Sequence, residues 1–144
     1  DAAMTGVNAQ GVQADRANFE DAALRSTNFS GAHINGANFQ NADLRGANLF
    51  DANLSGANLS GAYLTKANLG GTDLTKADLT KADLTGAKWN PKNPPAWPEG
   101  FVRPGNAWTD ALPGPTTSRD LNLIHYTGRS SGPRPQPRTL SGRG

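Results

Sequence analysis

A leucine recurs at every fifth residue through "ANLSGANLSGAYLTKANL" (52–69), and an alanine stands two places before each one. Five residues carry a side chain about 500° around an α-helix, so these leucines would spiral over its whole surface. A continuous strand fails too, because an odd step sends successive leucines to opposite faces. The chain must therefore turn within every unit. Ala52 and Leu54 share a face, Asn53 points the other way, and Ser55 and Gly56 suit a bend. Each pentad reads as a short extended piece plus a corner, and its repetition winds a coil with Ala and Leu inside.

The register holds from Met4 to Trp89 through eighteen consecutive units without insertion. Its central positions include Phe19, Leu24, Phe29, Ile34, Phe39 and Leu44, then an unbroken leucine series from Leu49 to Leu84. Two places before each central residue stands Ala, except for Val7, Val12, Thr27 and Thr72, all of them small. Repetition on this scale signals a solenoid. It also fits a chain that is only 35% hydrophobic and too poor in apolar residues for an ordinary globular core.

The units "ANFQN ADLRG ANLFD ANLSG" and "ADLTK ADLTG" resemble pentapeptide repeat proteins, whose pattern is A(D/N)LXX. That resemblance implies four pentads per square turn, an all-β right-handed quadrilateral β-helix of about four and a half coils. It covers residues 2–89 and is most specific over 17–89. In the first coil Ala9 and Ala14 replace the large central residue while Val7 and Val12 replace the small one, so an irregular or capping coil is expected there. With twenty residues per coil, Phe19, Phe39, Leu59 and Leu79 form one inner ladder, and Phe29, Leu49, Leu69 and Trp89 another.

Outward positions carry polar groups. Asn28, Asn48 and Asn68 share one face, and Asn18, Asn38, Asn58 and Asp78 another; a row of Asn suits an amide ladder or a ligand row, but Asx bonding to local backbone is the simpler expectation. Asp43, Asp73, Asp78 and Asp83 spread over three faces, which argues against a metal site. Lys66, Lys76 and Lys81 occupy three different corners and read as a solvated, mixed-charge surface. Tyr63 and Phe50 are the outward apolar side chains, and they are the interaction candidates within the coils.

Catalysis finds no motif: there are two histidines, His33 and His125, and no cysteine, with no phosphate loop, HExxH or GxSxG. No cofactor, metal or small-molecule substrate is expected. No apolar run reaches the ~20 residues of a membrane span. The first residue is Asp1 rather than Met, which points to a processed chain or a fragment, and processing after export fits.

After Trp89 the text changes to "NPKNPPAWPEGFVRPGNAW". Its prolines prohibit helix and interrupt ladder bonding. An open coil end needs a cover, so residues 90–112 are expected to form an irregular Pro/Trp-rich cap built on Trp97, Phe101 and Trp108. Trp97 and Phe101 are placed across the terminal coil near Leu84 and Trp89. "AWPEGF" also resembles the stretch that follows the last coil in many cyanobacterial members. Residues 113–144 form a basic, Pro/Arg/Gly-rich extended tail in which "LNLIHY" (121–126) suits an added strand or anchor. Arg129, Arg134 and Arg138 face a protein partner better than nucleic acid, since no aromatic platform accompanies them.

These features give a non-catalytic scaffold whose coil face and tail engage a protein partner within a larger complex. The resemblance implies an exported compartment, the thylakoid lumen foremost, with a photosynthetic complex as the partner; the cytoplasm is the alternative. A second reading, a DNA-mimicking gyrase inhibitor of the quinolone-resistance kind, wants a strongly negative rod. Residues 2–89 carry seven Lys/Arg against eight Asp/Glu, and residues 90–144 carry seven against three. That balance favours the scaffold.

Overall fold

The computed structural model describes residues 3–103. Parallel bridges join each outward residue to the one twenty positions later, from Ala3 with Ala23 to Asn68 with Lys88. Twenty residues at five per side give four sides to a turn. The pairing begins at Ala3, so the first coil is regular, contrary to the irregularity expected from its exchanged Val and Ala positions. Its cost appears in burial instead: Met4, Ala9, Val12 and Ala14 are half-buried and Val7 is exposed, since among the described residues no coil lies beneath them.

Each corner is a four-residue turn. The Ala57 N–H donates to the Leu54 carbonyl at 3.0 Å, and Gly56 between them has φ +66°, the signature of a type II turn. The same corner position holds Arg16, Asp21, Ser26, Asn41, Asp51, Lys66, Lys76 and Lys81, all with φ between 54° and 59°. A side chain there costs about 1 kcal/mol or more against glycine.

In an inner unit whose outward residue is Asx, every backbone N–H has a destination. Around Phe50, the Asn48 N–H donates to the Thr27 carbonyl of the coil before. The Leu49 and Asp51 N–H groups donate to Asn68 and Gly70 of the coil after, and the Ala52 N–H closes the turn onto Leu49. The fifth, that of Phe50 itself, donates to the Asn48 Oδ1 at 3.2 Å. The outward Asx therefore supplies an acceptor that the coil lacks.

The interior is filled. Leu24, Phe29, Ile34, Phe39 and the leucines from Leu44 to Leu74 are at most 1% exposed, and Leu79, Leu84 and Trp89 are also buried. Phe19 is half-buried at the open end. It stacks on Phe39 at 4.8 Å, while Phe29 meets both rings edge-on. The two inner threonines bury hydroxyls by donating to carbonyls of the preceding coil, Thr27 to Met4 at 2.6 Å and Thr72 to Leu49 at 2.8 Å.

The repeat does not stop at Trp89, where the sequence places its end. The pairing offset grows from twenty to 23 residues, with Asp73 bridged to Ala96, and Asn90 and Asn93 bridge each other across the added loop. Pro95 is buried, Ala96 is exposed and the Trp97 ring turns in, so "PAW" takes the inner, outer and central places of a resumed unit. The Ala96 N–H donates to Thr72, and the Leu74 N–H to Ala96. The Trp97 ring meets Trp89 edge-on at 5.3 Å and stacks with Phe101 at 5.4 Å. Trp97 thus lies beside Trp89 as part of the coil. The expectations for Trp108, "LNLIHY", Arg129, Arg134 and Arg138 lie outside the described residues.

Candidate functional site

With the interior closed, chemistry is confined to the outward columns. Tyr63 stands in the column Ala23–Asp43–Tyr63–Asp83 and is 49% exposed. Asn68, Asp73 and Asp78 of the same coil place Asx at this position; Tyr63, like Ala23 in its own column, does not, and the Thr65 N–H has no acceptor among the described residues. Arg45, from the neighbouring level of the coil before, lays its guanidinium 5.8 Å from the centre of the Tyr63 ring, within cation–π range. The same guanidinium grips Asp43 through two bonds, Nε to Oδ1 at 2.7 Å and Nη2 to Oδ2 at 2.6 Å. Arg25, one coil earlier in Arg45's own column, donates its Nε to Asp43 Oδ2.

This cluster sets two guanidinium groups against one carboxylate. The side chains of Arg25 and Arg45 are 53% and 44% exposed, so the pairing adds little stability. Its effect is positional: it holds the Tyr63 ring and the Arg45 plane outward in one geometry. Arg and Tyr fixed in this way are the residue types that anchor protein interfaces. The sequence singled out Tyr63 but missed Arg25 and Arg45; the signal was there in their spacing of twenty and in the Asp two places before Arg45.

Phe50, 41% exposed, lies on a different face. Its ring covers Gly70, where an added Cβ would stand 3.0 Å from the Phe50 Cδ2. Beside it runs the column Asn8, Asn28, Asn48, Asn68 and Lys88. Each amide Nδ2 donates to the Oδ1 below it, at 3.3 Å from Asn28 to Asn8, 3.1 Å from Asn48 to Asn28, and 3.1 Å from Asn68 to Asn48. The same Oδ1 atoms accept local N–H groups. The amide ladder and the local turn, weighed as alternatives from the sequence, coexist.

The remaining acids are turn-makers. The Thr80 hydroxyl and N–H hold the Asp78 carboxyl below its usual range, and the Thr85 hydroxyl and N–H do the same for Asp83, with a smaller contribution from Thr65. His33 is exposed on its face. Among the described residues no three His, Asp or Glu side chains gather as metal ligands would, and no helix is long and apolar enough to cross a membrane.

This geometry has relatives. The chain is similar in structure to HetL, a pentapeptide repeat protein involved in heterocyst differentiation regulation in the cyanobacterium Nostoc sp. strain PCC 7120. The identity is 41% and the TM-score 0.59, over 60% of this chain and 40% of that one. It is also similar to AT2G44920, a pentapeptide repeat protein of the Arabidopsis thaliana thylakoid lumen, at 36% identity and TM-score 0.53, over 60% of this chain and 64% of that one. The chain thus spans less than two thirds of the length of either. A match to QnrB1, a plasmid-mediated fluoroquinolone resistance protein, has only 17% identity and a TM-score of 0.30, over 62% of this chain and 67% of that one. No curated protein matches the chain significantly. The family described as pentapeptide repeats matches residues 15–51 and 52–88 with eight copies, about half of the chain. Together with the twenty-residue closure of the backbone, that match makes this chain a member of the pentapeptide repeat family.

Proposed function

We propose that the chain is a non-catalytic scaffold that holds a place in a larger protein assembly, with the Arg25–Asp43–Arg45–Tyr63 cluster as its contact on the coil. The observation that carries this reading is the exchange at Tyr63. Most pentads use an Asx side chain at that position to satisfy a backbone N–H, and Tyr63 gives that acceptor up, as Ala23 in the same column also does, a loss of about 0.5–1.5 kcal/mol. In its place stands an exposed aromatic ring braced by a salt-bridged arginine. Such an exchange is expected where a partner, rather than the coil, uses the residue.

The basic segment 113–144, with Arg129, Arg134 and Arg138, is the second contact in this proposal, and residues 90–112 the cap of the rod. The likeness to the Arabidopsis thylakoid-lumen protein supports an exported compartment of that kind as the setting, and a photosynthetic complex there is the partner in this proposal.

The experiment is affinity purification from the source organism with three tagged forms: the full chain, the chain ended at residue 112, and a Tyr63→Ala/Arg45→Ala double variant. Partners retained by the full chain and lost by the double variant support the reading. A full chain that runs as a free monomer, with no partner in any form, sinks it.

A further inference from the structure

The Phe50 side of the coil carries a second, differently built surface. A shallow groove runs across it, with Asn48 and Asn68 as its floor and Phe50, Lys66, Lys88 and Trp89 among its walls. Both rims are made in the same way, by a side chain lying across a glycine of the next coil. Phe50 covers Gly70, and the Lys66 stem crosses Gly86, where an added Cβ would meet its Cγ at 3.4 Å. Larger residues at 70 and 86 would push both side chains off their seats.

The two lysines each break the pattern of their own column at this groove. The Lys66 corner column reads Gly6, Ser26, Gly46, Lys66, Gly86, and Lys66 holds a strained φ of +59° where glycine is the common occupant. The column of Lys88 is otherwise all asparagine. Neither lysine has an acidic partner among the described residues. The acids nearest them in sequence, Asp73 and Asp83, stand in other columns. Asp51, next to Phe50, sits at the next corner and accepts a bond from the Asn93 Nδ2. The floor adds donors, since each ladder amide spends one of its two Nδ2 protons on the rung below. The groove therefore combines unpaired cations, amide donors and one exposed aromatic ring, with no acidic side chain in its lining.

We propose that this groove docks a short acidic segment of a partner protein, its carboxylates on Lys66 and Lys88 and an apolar side chain on the Phe50 ring. The chain's own C-terminal segment is a poor occupant, because residues 104–144 carry five arginines against two aspartates and share the sign of the groove. The proposal rests on the scaffold reading and names a contact separate from Tyr63.

The test is fluorescence anisotropy on the full chain with a labelled decapeptide of alternating Glu and Leu, against its Lys–Leu counterpart. The wild type is expected to bind only the acidic peptide. Lys66→Glu/Lys88→Glu should weaken binding by about tenfold or more, while Lys76→Glu/Lys81→Glu, an equal charge change at other corners, should cost at most about threefold. Phe50→Ser should weaken binding at unchanged charge. In amide NMR spectra the Asn48 and Asn68 side-chain signals should move on titration. Equal losses from the two double variants, absence of peptide binding, or shifts centred on Tyr63 each overturn the proposal. A sulfated oligosaccharide that binds more tightly with the same lysine dependence overturns the peptide as occupant. Failure here, with partners still lost from the Tyr63→Ala/Arg45→Ala form, removes the groove and leaves the scaffold; a full chain without partners removes the scaffold whatever the peptide does.

Discussion

The Asn48 amide donates its Nδ2 proton to the Asn28 Oδ1 at 3.1 Å, while its own Oδ1 accepts the Phe50 N–H at 3.2 Å. One side chain thus joins two coils and completes a turn. Asn48→Ala removes both ladder bonds and the turn bond, and should destabilise the protein by about 2 kcal/mol in urea unfolding. Asn48→Asp keeps the acceptor for Phe50 but sets a carboxylate oxygen against the Asn28 Oδ1, for a loss of about 1 kcal/mol. Equal losses from the two substitutions would mean that the turn bond to Phe50 contributes nothing beyond the ladder.

Glycines at the same corner level are not equivalent. Gly56→Ala meets open space and suffers only its positive φ of +66°, a loss of about 1 kcal/mol. Gly71→Ala adds a clash with the Asp51 carboxylate and the Asn93 amide, so its melting temperature should fall clearly further. Matching melts for the two variants would contradict the close packing over Gly71.

Asp78 and Asp83 carry folded pKa values below the ordinary carboxylate value, chiefly through the Thr80 and Thr85 hydroxyls. A depressed folded pKa gives stability that is complete above the unfolded pKa of ~4 and is lost as pH falls through the folded value. The double variant Thr80→Ala/Thr85→Ala should therefore flatten the stability curve below about pH 4 and leave it unchanged at neutral pH apart from a constant offset. Both carboxylates are exposed, so the effect is small, and carboxyl NMR titration is the direct readout. Unmoved Asp78 and Asp83 titrations in that variant would exclude the hydroxyls as the cause.

Trp97 packs on Trp89 and Phe101 at the end of the stack. Trp97→Ala should cost about 2–3 kcal/mol, somewhat less than a fully buried tryptophan. Loss should centre on the C-terminal coil, because contacts in a solenoid are between neighbours. Hydrogen exchange would then rise first at the N–H groups of Gly71 and Leu74, which bond to Asn93 and Ala96. Protection that survives there denies the resumed unit its role as a cover.

The outline of the coil was legible because a period of five excludes helix and strand alike, and because the inner positions from Leu44 to Leu84 scarcely vary. The role of Asn was less so. Its outward direction follows from alternation, but its necessity emerges only from following the unit's N–H groups, of which one has no carbonyl to reach. His33 shows the rule by exception: with no Asx oxygen there, the Asn35 N–H donates to the Asp15 Oδ1 of the coil below at 3.2 Å. The resumed unit at Pro95–Trp97 was hidden by the added loop, which shifts the period, and by a buried proline in a place that elsewhere holds Ala. Arg25 and Arg45 escaped because they are far apart in the linear chain and become neighbours only when it is folded into columns of twenty.

Closure every twenty residues gives each surface residue an address in two coordinates, column and coil, and editing the chain changes the two differently. Removing a block of twenty lowers everything beyond it by one storey and leaves each residue in its column. Removing a single pentad such as 65–69 rotates all that follows by a quarter turn, and Lys88 would then pair above Tyr63 in place of Asp83. Such a chain would keep its interior and lose its map: a stable rod, with its surface reassigned.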